Sequence, residues 1–261
     1  MIAFTFPMKI QTGLFFAALL AARLLNAEPS STDPVAAAAA ALGKGDLAAA
    51  ETLVTPLAQG ESARADACAL LGDVRLRQKR AKEAIELLER AGKLDPQTAA
   101  YQYQLGTAIS MRMGEVNFMQ QGMLAGRMVK AFKRSVEIDP NYVAGYIGLS
   151  RYYQNAPAIA GGSFETATVY AEEARKRDAF SGTLELGFIA DRQGSSEAAL
   201  KYFEAALRLH PEQAWLQEQT GSVLLKLARP ADARGRFEKA LELEPKRESA
   251  RKALEALPPV S

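Results

Sequence analysis

A 34-residue repeat constrains the fold of this chain more than any other feature of its sequence. The repeat is clearest between the segments 180–211 and 214–245. A fixed period of this length predicts stacked helical hairpins, because each hairpin can bury its apolar side only against its neighbours. The residues that recur unchanged 34 positions later include Gly187 as Gly221, Ala199 as Ala233, Phe203 as Phe237, Ala206 as Ala240 and Pro211 as Pro245.

The small residues of the repeat predict how its two helices meet. Gly187 falls in the middle of a predicted helix, where glycine costs up to about 1 kcal/mol relative to alanine. A glycine in such a place indicates that another part of the chain approaches closely. We therefore expect Gly187 to contact Ala199, with Phe203 filling the gap to the next hairpin, and the same arrangement one period later.

This pattern of small, apolar and proline positions resembles the tetratricopeptide repeat family. A further copy of the pattern lies upstream, at Cys68, Leu71, Gly72, Ala84, Leu88, Ala91 and Pro96. The resemblance implies an all-α fold, a tetratricopeptide-like α-solenoid of antiparallel helical hairpins. It also implies a scaffold rather than a particular activity, because such repeats serve many different partners.

The repeat pattern divides the mature chain into six hairpins and a closing helix. Their predicted ranges are 34–60, 65–96, 99–140, 141–179, 180–211 and 214–245 for the hairpins, 247–257 for the closing helix and 258–261 for a tail. In the third hairpin the interval from Gly106 to Met128, which replaces the matching alanine, is ten residues too long. In the fourth hairpin the interval from Gly148 to Ala167 is seven residues too long, with the extra residues in 155–163. Expanded central repeats of this kind resemble those of bacterial exported members of the family. Insertions tend to fall on one face of an array, so we expect function there.

The first 27 residues resemble a secretory signal peptide rather than part of the fold. Lys9 precedes an apolar run at 10–22, and the chain then reaches small residues suited to cleavage after Ala27. Residues 28–33 form a short polar linker. The sequence therefore predicts an exported protein, in the periplasm. The alternative is a membrane tether formed by an uncleaved N-terminus, although Arg23 interrupts the apolar stretch and leaves it short for a span of about 20 residues.

The composition offers little for catalysis or for metal binding. Charge is nearly balanced, with 32 Lys and Arg against 30 Asp and Glu, so no strong field for nucleic acid or an anionic membrane is implied. The single cysteine, Cys68, occupies an inward repeat position, and the single histidine, His210, lies in a turn before Pro211. A hydrolase hidden in the insertions would have only Ser163 and Glu165 near the Gly-Gly pair. We predict no enzyme activity, no cofactor and no metal site.

The methionines are concentrated in the third hairpin. Apart from Met1 and Met8, they are Met111, Met113, Met119, Met123 and Met128. Thioethers can bind Cu(I), but methionine also fills irregular interfaces and forms adaptable binding surfaces. No histidine or cysteine lies nearby to anchor a metal, so packing or partner contact is favoured.

The resemblance implies that the first helix of each hairpin lines a concave groove. The residues at the corresponding positions are largely aromatic: Tyr103, Met111, Tyr142, Tyr146, Leu149, Tyr152, Tyr153, Phe188, Arg192 and Trp215, with Asp191, Glu218 and Lys226 adding charge. Tyrosine and tryptophan are enriched at interface hot spots. The alternative is that several of these rings pack against the inserted segments.

The predicted function is a non-catalytic exported scaffold that binds a protein or an extended peptide in this groove. The alternative function is a small-molecule transport accessory, with a pocket formed by the expanded third and fourth hairpins. We expect no nucleic-acid binding and no stable membrane insertion once the signal is cleaved, and self-association is open.

Overall fold

The computed structural model describes residues 33–257. The predicted signal peptide at 1–27, the linker up to residue 32 and the tail at 258–261 lie outside the described residues. The described chain is all-α and forms two compact units, which divide between Tyr142 and Val143. Each unit is a series of helical hairpins in which consecutive helices pack against each other.

The first unit contains three hairpins. Its helices are α1 (Pro34–Gly43), α2 (Leu47–Val54), α3 (Ala65–Arg77), α4 (Ala81–Leu94), α5 (Ala99–Met113) and α6 (Phe118–Ile138), with a short 3-10 turn at Pro56–Ala58. The 3-10 turn follows α2 because proline cannot continue the helix. Cys68, as predicted, is fully buried in this unit, and burial raises the pKa of its thiol.

The second unit contains three more hairpins and the closing helix. Its helices are α7 (Val143–Asn155), α8 (Phe164–Arg177), α9 (Ala179–Arg192), α10 (Ser196–Leu209), α11 (Ala214–Lys226), α12 (Pro230–Leu243) and α13 (Glu248–Glu255), with a 3-10 turn at Ala158–Ala160. The closing helix α13 buries Ala250 against the preceding hairpin. Among the described helices, none has the length and apolar character needed to cross a membrane.

Polar side chains define where several helices begin. A side-chain oxygen in the residue before the helix accepts a hydrogen bond from a backbone N–H of the first turn, which would otherwise have no partner. The residues that cap helices in this way are Asp33, Asp46, Asn117, Ser163 and Asp178. Ser163, which follows the Gly-Gly pair, accepts a hydrogen bond from the backbone N–H of Thr166 at 3.1 Å and so caps α8.

The mid-helix glycines accommodate aromatic rings, which corrects the predicted contact with alanine. A Cβ atom placed on Gly187 would lie 2.4 Å from Cε1 of Phe203, and one on Gly221 would lie 2.8 Å from Cε1 of Phe237. Both phenylalanine side chains are fully buried. Each ring thus packs directly against the glycine of its own hairpin. The Phe203 ring, rather than Ala199, is the nearest neighbour that leaves no room for a side chain at Gly187.

Most of the ten extra residues of the third hairpin form helix rather than loop. The second helix of the hairpin, α6, spans 21 residues, whereas the matching helices α4 and α10 span 14 residues each. The ring of Phe132 covers Gly106, where a Cβ atom would lie 2.5 Å from Cε1 of the ring, and Met128 is buried in the position of the missing alanine. The expansion therefore leaves the core of the hairpin in register and projects the N-terminal turns of α6 beyond it.

Candidate functional site

The first helices of the last two hairpins carry a continuous group of predicted groove residues. On α9 these are Phe188, Asp191 and Arg192, and on α11 they are Trp215 and Lys226. The rings of Phe188 and Trp215 stack with centroids 6.5 Å apart and planes inclined by 12°. Lys226 Nζ lies 2.5 Å from Asp191 Oδ1, and this ion pair is a second link between the two helices. We call these five residues the α9/α11 surface.

Contacts within the second unit fix both rings of the α9/α11 surface in place. Phe188 meets the buried ring of Phe203 edge-on, with centroids 5.3 Å apart. Trp215 Nε1 donates a hydrogen bond to Gln213 Oε1 at 3.0 Å. Both rings are half-buried, so each keeps part of its area in solvent while its conformation is fixed by packing. Binding of a partner here would therefore cost little conformational entropy of these two side chains.

The charges around this surface are mostly engaged, with one exception. Glu218 accepts hydrogen bonds from Arg247 and Ser249 at the start of the closing helix, and Asp191 is paired with Lys226. Arg192 is exposed, and within residues 33–257 it makes no ion pair. Arg192 lies one helical turn after Phe188 on α9, so the α9/α11 surface presents two aromatic rings near a guanidinium group that can receive a carboxylate.

The inserted segment of the fourth hairpin is fixed by the two tyrosines at the end of α7. The hydroxyl of Tyr152 donates to the carbonyl of Ala160, and the backbone N–H of Ser163 donates to the carbonyl of Tyr153 at 2.8 Å. Gly162 allows a close backbone approach, since a Cβ atom there would lie 1.8 Å from the carbonyl oxygen of Ala156. The insertion is thus a shaped loop tied to the helix that precedes it.

Tyr152 and Tyr153 pack mainly within their own hairpin. Their rings meet edge to face at 5.1 Å, and Tyr153 stacks on Tyr170 of α8 with centroids 5.5 Å apart and planes inclined by 9°. Tyr153 also contacts the buried cluster that includes Ala171 and Ile189. Both tyrosines are half-buried, and their contact with a partner stays a prediction.

Two predicted groove residues of α7 are core residues instead. Leu149 has no exposed area, so the prediction that it lines a groove is wrong for this structure. Tyr146 is 9 % exposed, and the guanidinium of Arg177 lies 4.2 Å from the centre of its ring. Both side chains lie on the side of the helix that packs within the unit, where the repeat pattern alone does not separate inward from outward positions.

The predicted residues of the first unit form a separate aromatic group. Tyr103 meets Tyr142 edge to face at 5.8 Å and also contacts Phe132 at 5.7 Å. Met111 is half-buried on the same helix as Tyr103. The structure therefore brings Tyr103 and Tyr142 together, and it anchors Tyr103 on the ring that covers Gly106.

An ion pair between the buried Glu185 and the exposed Arg151 in the second unit was not anticipated. Glu185 Oε2 accepts from Arg151 Nε at 3.0 Å, and Gln154 Nε2 lies 3.5 Å from Glu185 Oε1. Burial raises the pKa of Glu185, and the nearby positive charge of Arg151 opposes that shift. The sequence did contain a signal, because Glu185 interrupts an apolar helix one period after Arg151.

The described residues hold no cluster of three or more His, Cys, Asp or Glu side chains suited to a metal ion. His210 lies in its turn, as predicted, and is exposed. Its Nδ1 atom lies 3.0 Å from Glu212 Oε1, and its ring meets Phe180 edge-on at 4.5 Å.

Comparisons with known proteins agree on the fold. Two family models described as tetratricopeptide repeat match residues 41–106 and 147–216. A comparison with curated proteins found no match.

Solved structures extend the likeness over most of the chain. The protein TTC0263 of Thermus thermophilus, a thermophilic TPR protein, is 22% identical, with a TM-score of 0.57 over 74% of this chain and 97% of that chain. The Cut9–Hcn1 hetero-tetramer of the APC/C is 15% identical, with a TM-score of 0.62 over 92% of this chain and 45% of that chain. Residues 41 to the end of MamA from Desulfovibrio magneticus RS-1 are 18% identical, with a TM-score of 0.50 over 70% of this chain and 97% of that chain. These likenesses show the fold alone.

Proposed function

Because the chain belongs to the tetratricopeptide repeat family, we propose that it is an exported, non-catalytic scaffold that binds a partner protein through an extended peptide segment. Repeats of this family mediate protein interactions, and the α9/α11 surface is the part of the described chain best suited to that role. The observation that carries the proposal is the stacked pair of Phe188 and Trp215 beside Arg192.

The chemistry of this surface specifies the kind of segment that it would bind. Half-buried aromatic rings offer apolar area to one side chain of an extended peptide. Arg192 can form a two-pronged hydrogen bond to a carboxylate, either of an acidic side chain or of a chain terminus. The expected ligand is therefore an extended segment with an apolar residue and a carboxylate close to each other.

Export is the second part of the proposal and is supported by the sequence of the first 27 residues. A protein recovered from the periplasm should begin at Glu28, and mass spectrometry of its N-terminal peptide tests this directly. A mature chain that still carries residues 1–27 would support the membrane-tethered alternative and would contradict cleavage.

Trp215 makes partner binding at this surface directly measurable. It is the only tryptophan in the chain, so its fluorescence reports on this site without labelling. Immobilised mature protein would first capture partners from an envelope extract, and each captured protein would then be titrated into free protein. Binding at the α9/α11 surface should shift the Trp215 emission as the site fills. Saturable binding with unchanged emission would place the partner elsewhere and would contradict the proposal.

A pair of charge variants separates this surface from general electrostatics. Arg192→Gln removes the cation beside the aromatic rings, whereas Lys201→Gln removes an exposed cation from α10 that also makes no ion pair within the described residues. Loss of a hydrogen bond between charged groups should weaken binding about tenfold to a hundredfold for Arg192→Gln. Lys201→Gln should bind like the wild type. Equal affinities for the two variants would refute the role of Arg192.

The same preparation tests the carrier alternative and self-association. Native mass spectrometry of the purified protein would detect a metabolite or lipid that remains bound, which would favour the transport accessory. A homodimer whose formation shifts Trp215 emission would make a second copy of the chain the occupant of this surface.

A further inference from the structure

The extra turns of α6 place three large apolar side chains in solvent. Phe118 is 70% exposed, Met119 is 81% exposed and Met123 is 69% exposed. Met119 and Met123 are neighbours on one helix face because they are one turn apart, and Phe118 is the first residue of the same helix. The buried residues of α6 begin only at Ala125, so these turns add no fully buried residue to the core of the hairpin. We call Phe118, Met119 and Met123 the α6 tip.

Exposed apolar side chains that adjoin one another usually mark an interaction surface. The α6 tip consists of protrusions, and each protruding side chain would need a matching pocket in a folded protein partner. A fluid bilayer needs no such pocket, because its interfacial layer adapts to the inserted side chains. The shape of the tip therefore favours a lipid surface over a structured partner.

The charges that follow the tip along α6 are positive as far as Val136, and Glu137 is the one acidic residue of the helix. From residue 116 to residue 136 the sequence contains no acidic side chain, and its basic residues are Arg127, Lys130, Lys133 and Arg134. Met119, Met123, Arg127, Lys130 and Arg134 follow one another at helical spacing, so the apolar tip runs into a basic stripe. The balanced net charge of the whole chain does not describe this local surface.

Two of these cations are not neutralised by the protein. Arg127 pairs with Glu89 of α4 at 2.6 Å, and Arg134 lies 3.4 Å from Glu137. Lys130 and Lys133 are exposed and make no ion pair among the residues that the structure describes. Exposed lysines beside an apolar protrusion are complementary to anionic lipid headgroups.

We propose that the outer face of α6 docks reversibly on a bilayer surface with anionic headgroups. The α6 tip enters the interfacial layer, while Lys130 and Lys133 contact the headgroups. This interaction is peripheral, involves no membrane-spanning segment and does not depend on the partner bound at the α9/α11 surface. It would hold the scaffold next to a membrane after cleavage of the predicted signal peptide.

The test uses the mature chain, residues 28–261, which retains every described helix. Sedimentation compares vesicles of phosphatidylcholine alone with vesicles that contain about a third phosphatidylglycerol. Binding should require the anionic lipid and should weaken as salt is added. Equal binding to both kinds of vesicle, or to neither, would overturn the proposal.

Three variants assign the binding to the surface. Replacement of the three tip residues by glutamine keeps helix propensity and should lower vesicle affinity by about tenfold or more. Lys130→Gln with Lys133→Gln should lower it by roughly thirtyfold in low salt. Ile159→Gln changes an apolar side chain that is 89% exposed in the other unit, and it should bind like the wild type. Wild-type affinity in either α6 variant would overturn the proposal.

Methionine oxidation provides an independent readout. Hydrogen peroxide should oxidise Met119 and Met123 readily, whereas Met128 is only 6% exposed and serves as an internal reference. Anionic vesicles should slow oxidation of the two exposed methionines relative to Met128. Protection by a captured protein but not by vesicles would overturn the lipid assignment in favour of a protein partner.

Discussion

Replacing Gly187 by alanine should destabilise the protein even though alanine is the better helix former. The added methyl group would lie 2.4 Å from Cε1 of Phe203, and it would also lie 2.6 Å from Cδ1 of the same ring. Phe203 is fully buried, so its ring has no free space into which to move. The substitution therefore forces a shift of the ring or of the two helices.

The expected magnitude follows from two opposing effects. Overpacking a well-packed core typically costs about 1–3 kcal/mol. Alanine recovers up to about 1 kcal/mol of helix propensity at the same position. Gly126→Ala isolates the second effect, because Gly126 lies within α6 and a Cβ atom there meets nothing within 4 Å. Relative to Gly126→Ala, the free energy of unfolding of Gly187→Ala should be lower by about 1–3 kcal/mol.

Urea denaturation followed by circular dichroism measures this difference, and the series can be extended. Gly221→Ala should cost less than Gly187→Ala, because the contact with Phe237 is 2.8 Å rather than 2.4 Å. Trimming the ring in the pair Gly187→Ala with Phe203→Leu should recover part of the loss. If Gly187→Ala proved as stable as Gly126→Ala, the contact with the Phe203 ring would not be the reason that position 187 needs glycine. That result would refute our reasoning.

Two further predictions concern the second unit. Tyr152→Phe removes the hydrogen bond to Ala160 and should lower the free energy of unfolding by about 0.5–1.5 kcal/mol. Amide hydrogen exchange in residues 156–163 should accelerate in this variant. Tyr153→Phe keeps its ring contacts and should leave the exchange rate unchanged. Burial raises the pKa of Glu185 above its ordinary value of 4.5, so the folded chain retains a proton that the unfolded chain releases. The bound proton stabilises the folded state at low pH, and this stabilisation is lost as the pH rises above 4.5 through the folded pKa. The urea midpoint of the wild type should therefore fall with rising pH relative to Glu185→Gln, which has no such proton, and parallel pH profiles would contradict the assignment.

The repeat spacing was sufficient to predict the all-α hairpin fold, but it did not identify the contacts inside each hairpin. Period and residue size showed that Gly187 needs a close neighbour, and the neighbour proved to be Phe203 rather than Ala199. The expected contact assumed a particular rotation of the second helix about its axis. That rotation depends on how both helices pack, which the spacing of one helix does not encode.

For the candidate site, the sequence identified side-chain types better than their environments. It indicated Phe188, Arg192 and Trp215, which the structure places on two helices linked by a ring contact and an ion pair. It also indicated Leu149, which is buried, and it missed the pairing of Glu185 with Arg151. A first helix of a hairpin has neighbours on several sides, so a single periodicity does not distinguish a groove position from a contact between hairpins.

The sequence by itself determined the hairpin architecture, because helix-forming signals act over a few residues and the same pattern of them recurs at a fixed period along the chain. Only the tertiary structure decided what the two insertions become. The methionine-rich insertion extends α6 and exposes Met119, whereas the insertion after α7 is held by the hydroxyl of Tyr152. Insertions have no counterpart in the repeat, so their form depends on contacts between residues that the period does not relate.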